Sequence, residues 1–137
     1  MLVRSTITIT EPDAERLMLL SRYVTSASDG LHLLELERKV SEADICDPQE
    51  IPPNVVTMNS RVQVRFEDTG ESSTYTVVFP SRVNAARQCI SVLGSFGRAL
   101  LGARVGDTIE FQTGLGPRRC RIIQLLYQPE ASGDYTG

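Results

Sequence analysis

The run Arg61-Val62-Gln63-Val64-Arg65-Phe66, followed by Glu67-Asp68-Thr69-Gly70 and then Tyr75-Thr76-Val77-Val78-Phe79-Pro80, decides the fold. Val62, Val64 and Phe66 alternate with polar residues at a period of two, which is the pattern of a strand with one buried face. Asp68-Thr69-Gly70 supplies turn residues, and Tyr75, Val77 and Phe79 resume the alternation until Pro80 ends it. A β-hairpin is therefore expected here. Downstream, Cys89-Ile90-Ser91-Val92 reads either as a loop or as a short strand. Phe96 to Leu101 reads as a short helix stopped by Gly102, and Val105-Gly106-Asp107 as a turn. Ile109 and Phe111 begin another strand, which Gly114-Leu115-Gly116-Pro117 turns into a last one from Arg119 to Tyr127. Ile122, Ile123, Leu125 and Leu126 would place apolar side chains on both faces of that last strand, so it is expected to be covered on two sides. Asn59-Ser60-Arg61 is expected to shape the entry to the first strand, and the tail from Gln128 to Gly137 has a polar turn composition.

Upstream of the strands the period changes. Asp47-Pro48 and Ile51-Pro52-Pro53 end helical structure, because proline lacks an amide donor and restricts its predecessor. Before them, Leu17, Leu20, Val24 and Ala27 recur at spacings of 3, 4 and 3, and Leu33, Leu36, Val40 and Ala43 repeat the series. Thr10 can cap the first helix, with Pro12 in its first turn and Asp13 and Glu15 near the positive end of its dipole. A turn over Thr25 to Gly30 would fold the two arms back as an antiparallel hairpin (a short coiled coil). Arms of matched length, about 15 residues each, span about 22 Å at a rise of about 1.5 Å per residue. The expected class is α+β, with a helical hairpin over 1–48 and an antiparallel sheet domain with one short helix over 49–137.

Composition narrows the function. A chain of 137 residues, 41% hydrophobic and 23% charged, has room for one domain with an appendage and no run long enough to cross a membrane. No export signal is visible near the N-terminus, and a soluble, cytoplasmic protein is expected. The net charge of -3 is unevenly spread. Residues 1–50 carry five cations against ten carboxylates, whereas residues 51–137 carry nine arginines against seven. Glu11, Glu15, Glu35, Glu37, Glu42 and Asp44 would line the outside of the hairpin, and the modest total speaks against a general phosphate footprint.

Chemistry-bearing motifs are sparse. Cys46, Cys89 and Cys120 are odd in number and far apart, which fits reduced, mostly buried thiols and no metal pair. His32 is the one histidine, expected at a half-buried or surface position, and no GxSxG or HExxH accompanies it. Glu35 and Glu37 diverge by about 200° on a helix and cannot share a metal. Gly114-Leu115-Gly116 lacks the third glycine and the following helix of a dinucleotide loop. Arg118, Arg119 and Arg121 form the densest basic cluster, read either as a solvated sheet edge or as a docking surface. Aromatic residues, at 6%, are too few for a base-stacking platform. The residues thus describe an interaction protein with no assembled active site, no metal and no cofactor.

One stretch resembles a known family. Ile90-Ser91-Val92-Leu93-Gly94-Ser95-Phe96-Gly97-Arg98-Ala99-Leu100-Leu101-Gly102, closing on Gly106-Asp107, is similar to the ISxxSPxxxALLGxxxGD pattern of the Gre transcription elongation factors. Pro53 to Val62 and the tail Tyr127 to Tyr135 look like segments of its Rnk branch, the regulators of nucleoside diphosphate kinase. The resemblance covers essentially the whole chain. It implies an FKBP-like sheet domain and a partner, RNA polymerase, bound at the rim of the secondary channel with the hairpin directed inward. The family's Asp-Ser-Pro docking loop aligns with Leu93, Gly94 and Ser95, so the acid and the proline are both missing and the contact would be more apolar. Phe96, Arg98 and Arg104 complete the docking candidates, with solvated surface as the plain alternative for the two arginines.

Gre factors stimulate transcript cleavage with an acidic pair at the tip of a long hairpin. Here the tip, Ser28 and Asp29, holds one acid on a short arm, which implies channel occupancy and competition with Gre factors without cleavage. Two alternatives stay open, a cleavage-stimulating factor and a peptidyl-prolyl isomerase. The latter needs an aromatic-lined proline pocket. No small-molecule ligand is expected, contact with nucleic acid is expected only through polymerase, and the protein is expected to be a monomer.

Overall fold

The computed structural model describes residues 7–22 and 27–133, and its class is α+β. Strand β1 (Thr8–Thr10) runs directly into helix α1 (Glu11–Met18). Thr10 sits in extended backbone and its Oγ1 accepts from the Asp13 amide at 3.4 Å, while Pro12 occupies a first-turn position where no intrahelical donor is needed. The first arm is not the match of the second. At Leu19 it tightens into a 3-10 turn (Leu19–Arg22), whereas helix α2 (Ala27–Glu42) runs for 16 residues. In a 3-10 turn side chains three apart eclipse, and this keeps both Leu17 and Leu20 pointing into the core. Because α2 starts at Ala27, Ser28 and Asp29 lie in its first turn; their side chains, like residues 23–26 of the predicted turn, lie outside the described part.

Strand β2 (Asp44–Cys46) pairs in parallel with β1, Thr8 opposite Asp44 and Thr10 opposite Cys46, and the Asp44 amide donates to the Ile7 carbonyl. This small pair brings the start of α1 beside the end of α2. Leu33, Leu36 and Val40 of α2 are buried, and Glu11, Glu15, Glu35, Glu42 and Asp44 are exposed as the spacing predicts; Glu37 is half-buried.

The main sheet has five strands in the order β5-β4-β3-β7-β6: β3 (Arg61–Phe66), β4 (Ser72–Val78), β5 (Cys89–Ser91), β6 (Thr108–Thr113) and β7 (Gly116–Tyr127). It is mixed, which corrects the all-antiparallel expectation. Two 3-10 turns, Pro80–Arg82 and Ala85–Arg87, carry the chain back so that β5 runs in the same direction as β4, Thr76 opposite Cys89. Helix α3 (Ser95–Leu100) covers the inner face, and Gly102 behind it sits at φ +81°, a conformation only glycine adopts without strain. Val62, Val64, Phe66, Val77, Phe111, Cys120 and Ile122 form one core with Leu17, Leu36, Val40 and Met58 of the upstream segment. Only Cys120 of the three cysteines is buried; Cys46 and Cys89 are half-buried.

Strand β7 departs from expectation twice. It lies inside the sheet between β3 and β6, so Arg119 and Arg121 are not on an edge. Nor is it covered on two sides: Ile123 and Leu126 are 37% and 48% exposed. The register explains why. Ile122 faces Val64, Gln124 faces Gln63, Leu125 faces Val62 and Tyr127 faces Arg61, so Ile123 and Leu126 are the extra residues of two β-bulges.

The tail packs back. Gln128 is buried and its Nε2 donates to the carbonyls of Pro52 and Val55 at 2.9 and 2.7 Å. Glu130 accepts from Thr57 Oγ1 at 2.7 Å, and Thr57 in turn bonds Ser60, fixing the buried turn that leads into β3.

Candidate functional site

The loop Leu93-Gly94-Ser95 joins β5 to α3. Ser91 shapes it: its Oγ accepts from the Leu93 amide and its carbonyl from the Gly94 amide, both at 3.1 Å. Gly94 then stands at the N-cap of α3 in extended backbone, and its carbonyl takes the first helical bond from Arg98. Gly97 allows the helix to lie directly on the strand, because a Cβ there would stand 2.1 Å from the Ser91 carbonyl oxygen. Ser95 Oγ accepts from the Gln112 amide at 2.8 Å and ties the helix start to β6.

Phe96 belongs to an aromatic cluster. It stacks on Phe111 with centroids 4.3 Å apart and meets Tyr75 edge-on at 4.9 Å, with Phe66 beneath. The Arg118 guanidinium covers Phe66 at 3.8 Å and pairs with Asp68 at 3.0 Å. That hydrogen bond holds the Asp68 carboxyl below its ordinary range. Four of the eight aromatic residues thus converge at one end of the sheet, which their low overall number conceals.

The candidates do not share one environment. Leu93 is buried; Gly94, Ser95 and Phe96 are half-buried; Arg104 is exposed, in a turn closed by its amide donating to Asp107 Oδ2. Arg98 faces inward, with 12% of its side chain exposed. Its Nη1 donates to the Leu93 carbonyl and meets His32 Nδ1 at 2.8 Å, and its Nη2 pairs with Glu35 at 2.8 Å. Its own carbonyl accepts from Lys39 Nζ. One side chain therefore joins the loop to α2. Burial, with the Arg98 charge adding to it, lowers the Lys39 ammonium to about 8. Sequence reasoning passed over His32, Glu35 and Lys39 as a group, although spacings of three and four put them on one side of α2. It also passed over Gly97.

A second polar contact joins the two segments. Asp13, buried, accepts from the Met58 amide at 3.1 Å. Burial raises its carboxyl to about 6, and the nearby Glu130 charge adds to the rise. Among the described residues no three His, Cys, Asp or Glu side chains gather closely enough to hold a metal ion, and no helix is long and apolar enough to cross a membrane.

Residues 51–127 match the family model for the C-terminal part of the transcription elongation factors GreA and GreB. Over 134 residues the chain is 40% identical to the regulator of nucleoside diphosphate kinase of Escherichia coli strain K12, spanning 96% of this chain and 97% of that one. It is 31% identical to the transcription elongation factor GreA of Beijerinckia indica over 103 residues, 75% of this chain but 65% of that one. A solved GreA/GreB elongation factor from Nitrosomonas europaea is 38% identical, covers 90% of this chain and superposes with a TM-score of 0.74. The motif around α3, the fold that presents it and a relative matched from end to end agree: the chain belongs to the GreA/GreB transcription elongation factor family.

Proposed function

We propose that the chain is a regulator that binds RNA polymerase at the rim of the secondary channel and competes there with Gre-type factors without stimulating transcript cleavage. Docking uses the loop Leu93 to Ser95 with Phe96 and Arg104 outside the channel, while the helical pair points inward. Arg98 serves this site from within by holding the loop against α2. In this reading residues 1–48 form the hairpin and residues 49–137 an FKBP-like domain. The protein acts as a cytoplasmic monomer without enzymatic activity, cofactor or direct hold on nucleic acid, and any effect on nucleoside diphosphate kinase runs through transcription.

The observation that carries this reading is the short reach of the helical pair. Its longer arm, α2, has 16 residues and so reaches about 24 Å. Residues 23–30 hold one carboxylate, Asp29, where metal-assisted hydrolysis calls for more than one ligand or base. The aromatic cluster weighs against a prolyl isomerase, since Phe96 and Phe111 stack on each other and leave no open ring face between them. A backtracked polymerase complex, first verified to bind the protein, tests the claim. The expected outcome is RNA of unchanged length, and shortened RNA would identify a cleavage factor instead.

A further inference from the structure

The side of the main sheet away from α3 is solvent-facing, and the register gives its composition. Arg61 lies opposite Thr76 and Tyr127, Gln63 opposite Thr74 and Gln124, and Arg65 opposite Ser72 and Arg121. Arg119 lies opposite Glu110 on the edge strand and pairs with it at 3.1 Å. All four arginines are exposed. Solvated sheet faces ordinarily mix both signs. Here the carboxylates gather around Arg119, with Glu110 opposite it on one side and Glu67, whose amide donates to the Arg119 carbonyl, on the other, while Arg61, Arg65 and Arg121 face no carboxylate across the strands. Arg65 and Arg121 stand directly across from each other, a like-charge arrangement that disfavours the sheet, and among the described residues neither has an ion-pair partner.

The two bulges of β7 add a second, independent feature. They turn Ile123 with Gln124 and Leu126 with Tyr127 outward as consecutive residues, while Ile122 stays buried and Leu125 packs on the core. Aliphatic side chains next to unpaired arginines make a surface with two demands, negative charge and apolar cover.

We propose that this outer sheet face is a docking surface for a protein partner that presents an acidic segment carrying aliphatic side chains. Arginine and tyrosine are the residue types that dominate protein interfaces, whereas lysine is depleted there, and residues 51–137 contain nine arginines and no lysine. A nucleic acid satisfies the arginines but offers nothing to cover Ile123 and Leu126, and Tyr127 alone makes no stacking platform. The face is opposite the one that α3 packs on, so it stays free when the Leu93-Gly94-Ser95 loop is engaged, and the proposal stands whether or not that loop binds polymerase.

The test is an NMR titration of the full chain at low salt with a short synthetic peptide of glutamate and leucine, alongside an all-glutamate peptide and a single-stranded RNA of equal charge. The glutamate–leucine peptide is expected to bind most tightly, to shift amides of β3 and β7, and to weaken as salt rises. The double variants Arg65→Gln/Arg121→Gln and Ile123→Ser/Leu126→Ser, each checked for an unchanged fold by circular dichroism, should each weaken binding by about tenfold. Absence of peptide binding, shifts confined to other faces, tighter binding of RNA, or either folded double variant binding like the parent would overturn it.

Discussion

Arg98 Nη1 on α3 lies 2.8 Å from His32 Nδ1 on α2. A guanidinium only donates, so Nδ1 is the acceptor and the imidazole proton sits on Nε2. The same guanidinium reaches the Leu93 carbonyl and Glu35, and Lys39 holds the Arg98 carbonyl from the same helix. The loop before α3 and the helical segment are therefore not independent surfaces: one residue fixes both. Lys39 and Arg98, two cations side by side, make this contact electrostatically costly, and its balance is open to measurement.

Lys39 is half-buried and its ammonium is lowered from 10.5 to about 8. Between those values the unfolded chain binds the proton more tightly than the folded one, so stability rises with pH across that window. Lys39→Met removes the charge. Relief of up to about 3 kcal/mol outweighs the loss of one hydrogen bond, worth about 1 kcal/mol. Urea denaturation at pH 7 should show a variant about 1 kcal/mol more stable, without the alkaline rise of the parent.

Asp13 carries the opposite dependence. Its carboxyl, 3.8 in the free chain, stands at about 6 when folded. The stabilisation is complete below pH 3.8 and is lost as pH rises through 6. Asp13→Asn keeps an acceptor for the Met58 amide without the charge. The variant should gain about 2 kcal/mol at pH 7, and its stability should change less than the parent's between pH 4 and 6, as followed by chemical denaturation across that range.

Gly97→Ala sets two effects against each other. Alanine favours a helix over glycine by about 1 kcal/mol. The new methyl, however, would stand 2.1 Å from the Ser91 carbonyl oxygen and 2.8 Å from its carbon, both backbone atoms. Overpacking costs about 1–3 kcal/mol and more where backbone must move. A net loss of about 2 kcal/mol in thermal or urea unfolding is expected.

Gln128→Ala removes both bonds that tie the tail to Pro52 and Val55. Each is worth about 1 kcal/mol, so the variant should be destabilised by about 2 kcal/mol in urea unfolding. Amide hydrogen exchange should also quicken across residues 52–60.

Much of this architecture was legible. Period-two alternation located β3, β4 and β6, and Gly102 marked the end of α3 to within one residue. What escaped notice depends on contacts distant in sequence. Ile7 and Ile9 alternate ahead of the first helix, but the three residues of β2 are too few to show a period, and nothing local announces its pairing with β1. The bulges were written as two apolar doublets, Ile122-Ile123 and Leu125-Leu126, around Gln124, and a doublet is read as two-sided burial until the partner strand is known. Asp13 looked like a helix-dipole residue because nothing near it in sequence announces Met58. Arg98 looked like surface because its side-chain partners on α2, His32 and Glu35, lie more than sixty residues upstream. The tail seemed without a role because Gln128 acts on backbone carbonyls, which no side-chain pattern reveals.

The central claim concerns occupancy of one site on RNA polymerase. Its most direct test is a competition measurement, with a fluorescent Gre factor bound to core polymerase and this protein added in increasing amounts. Displacement of the Gre factor to completion along a single-site curve is the predicted result. A Gre factor that stays bound at saturating amounts of a protein that itself binds polymerase would contradict the account.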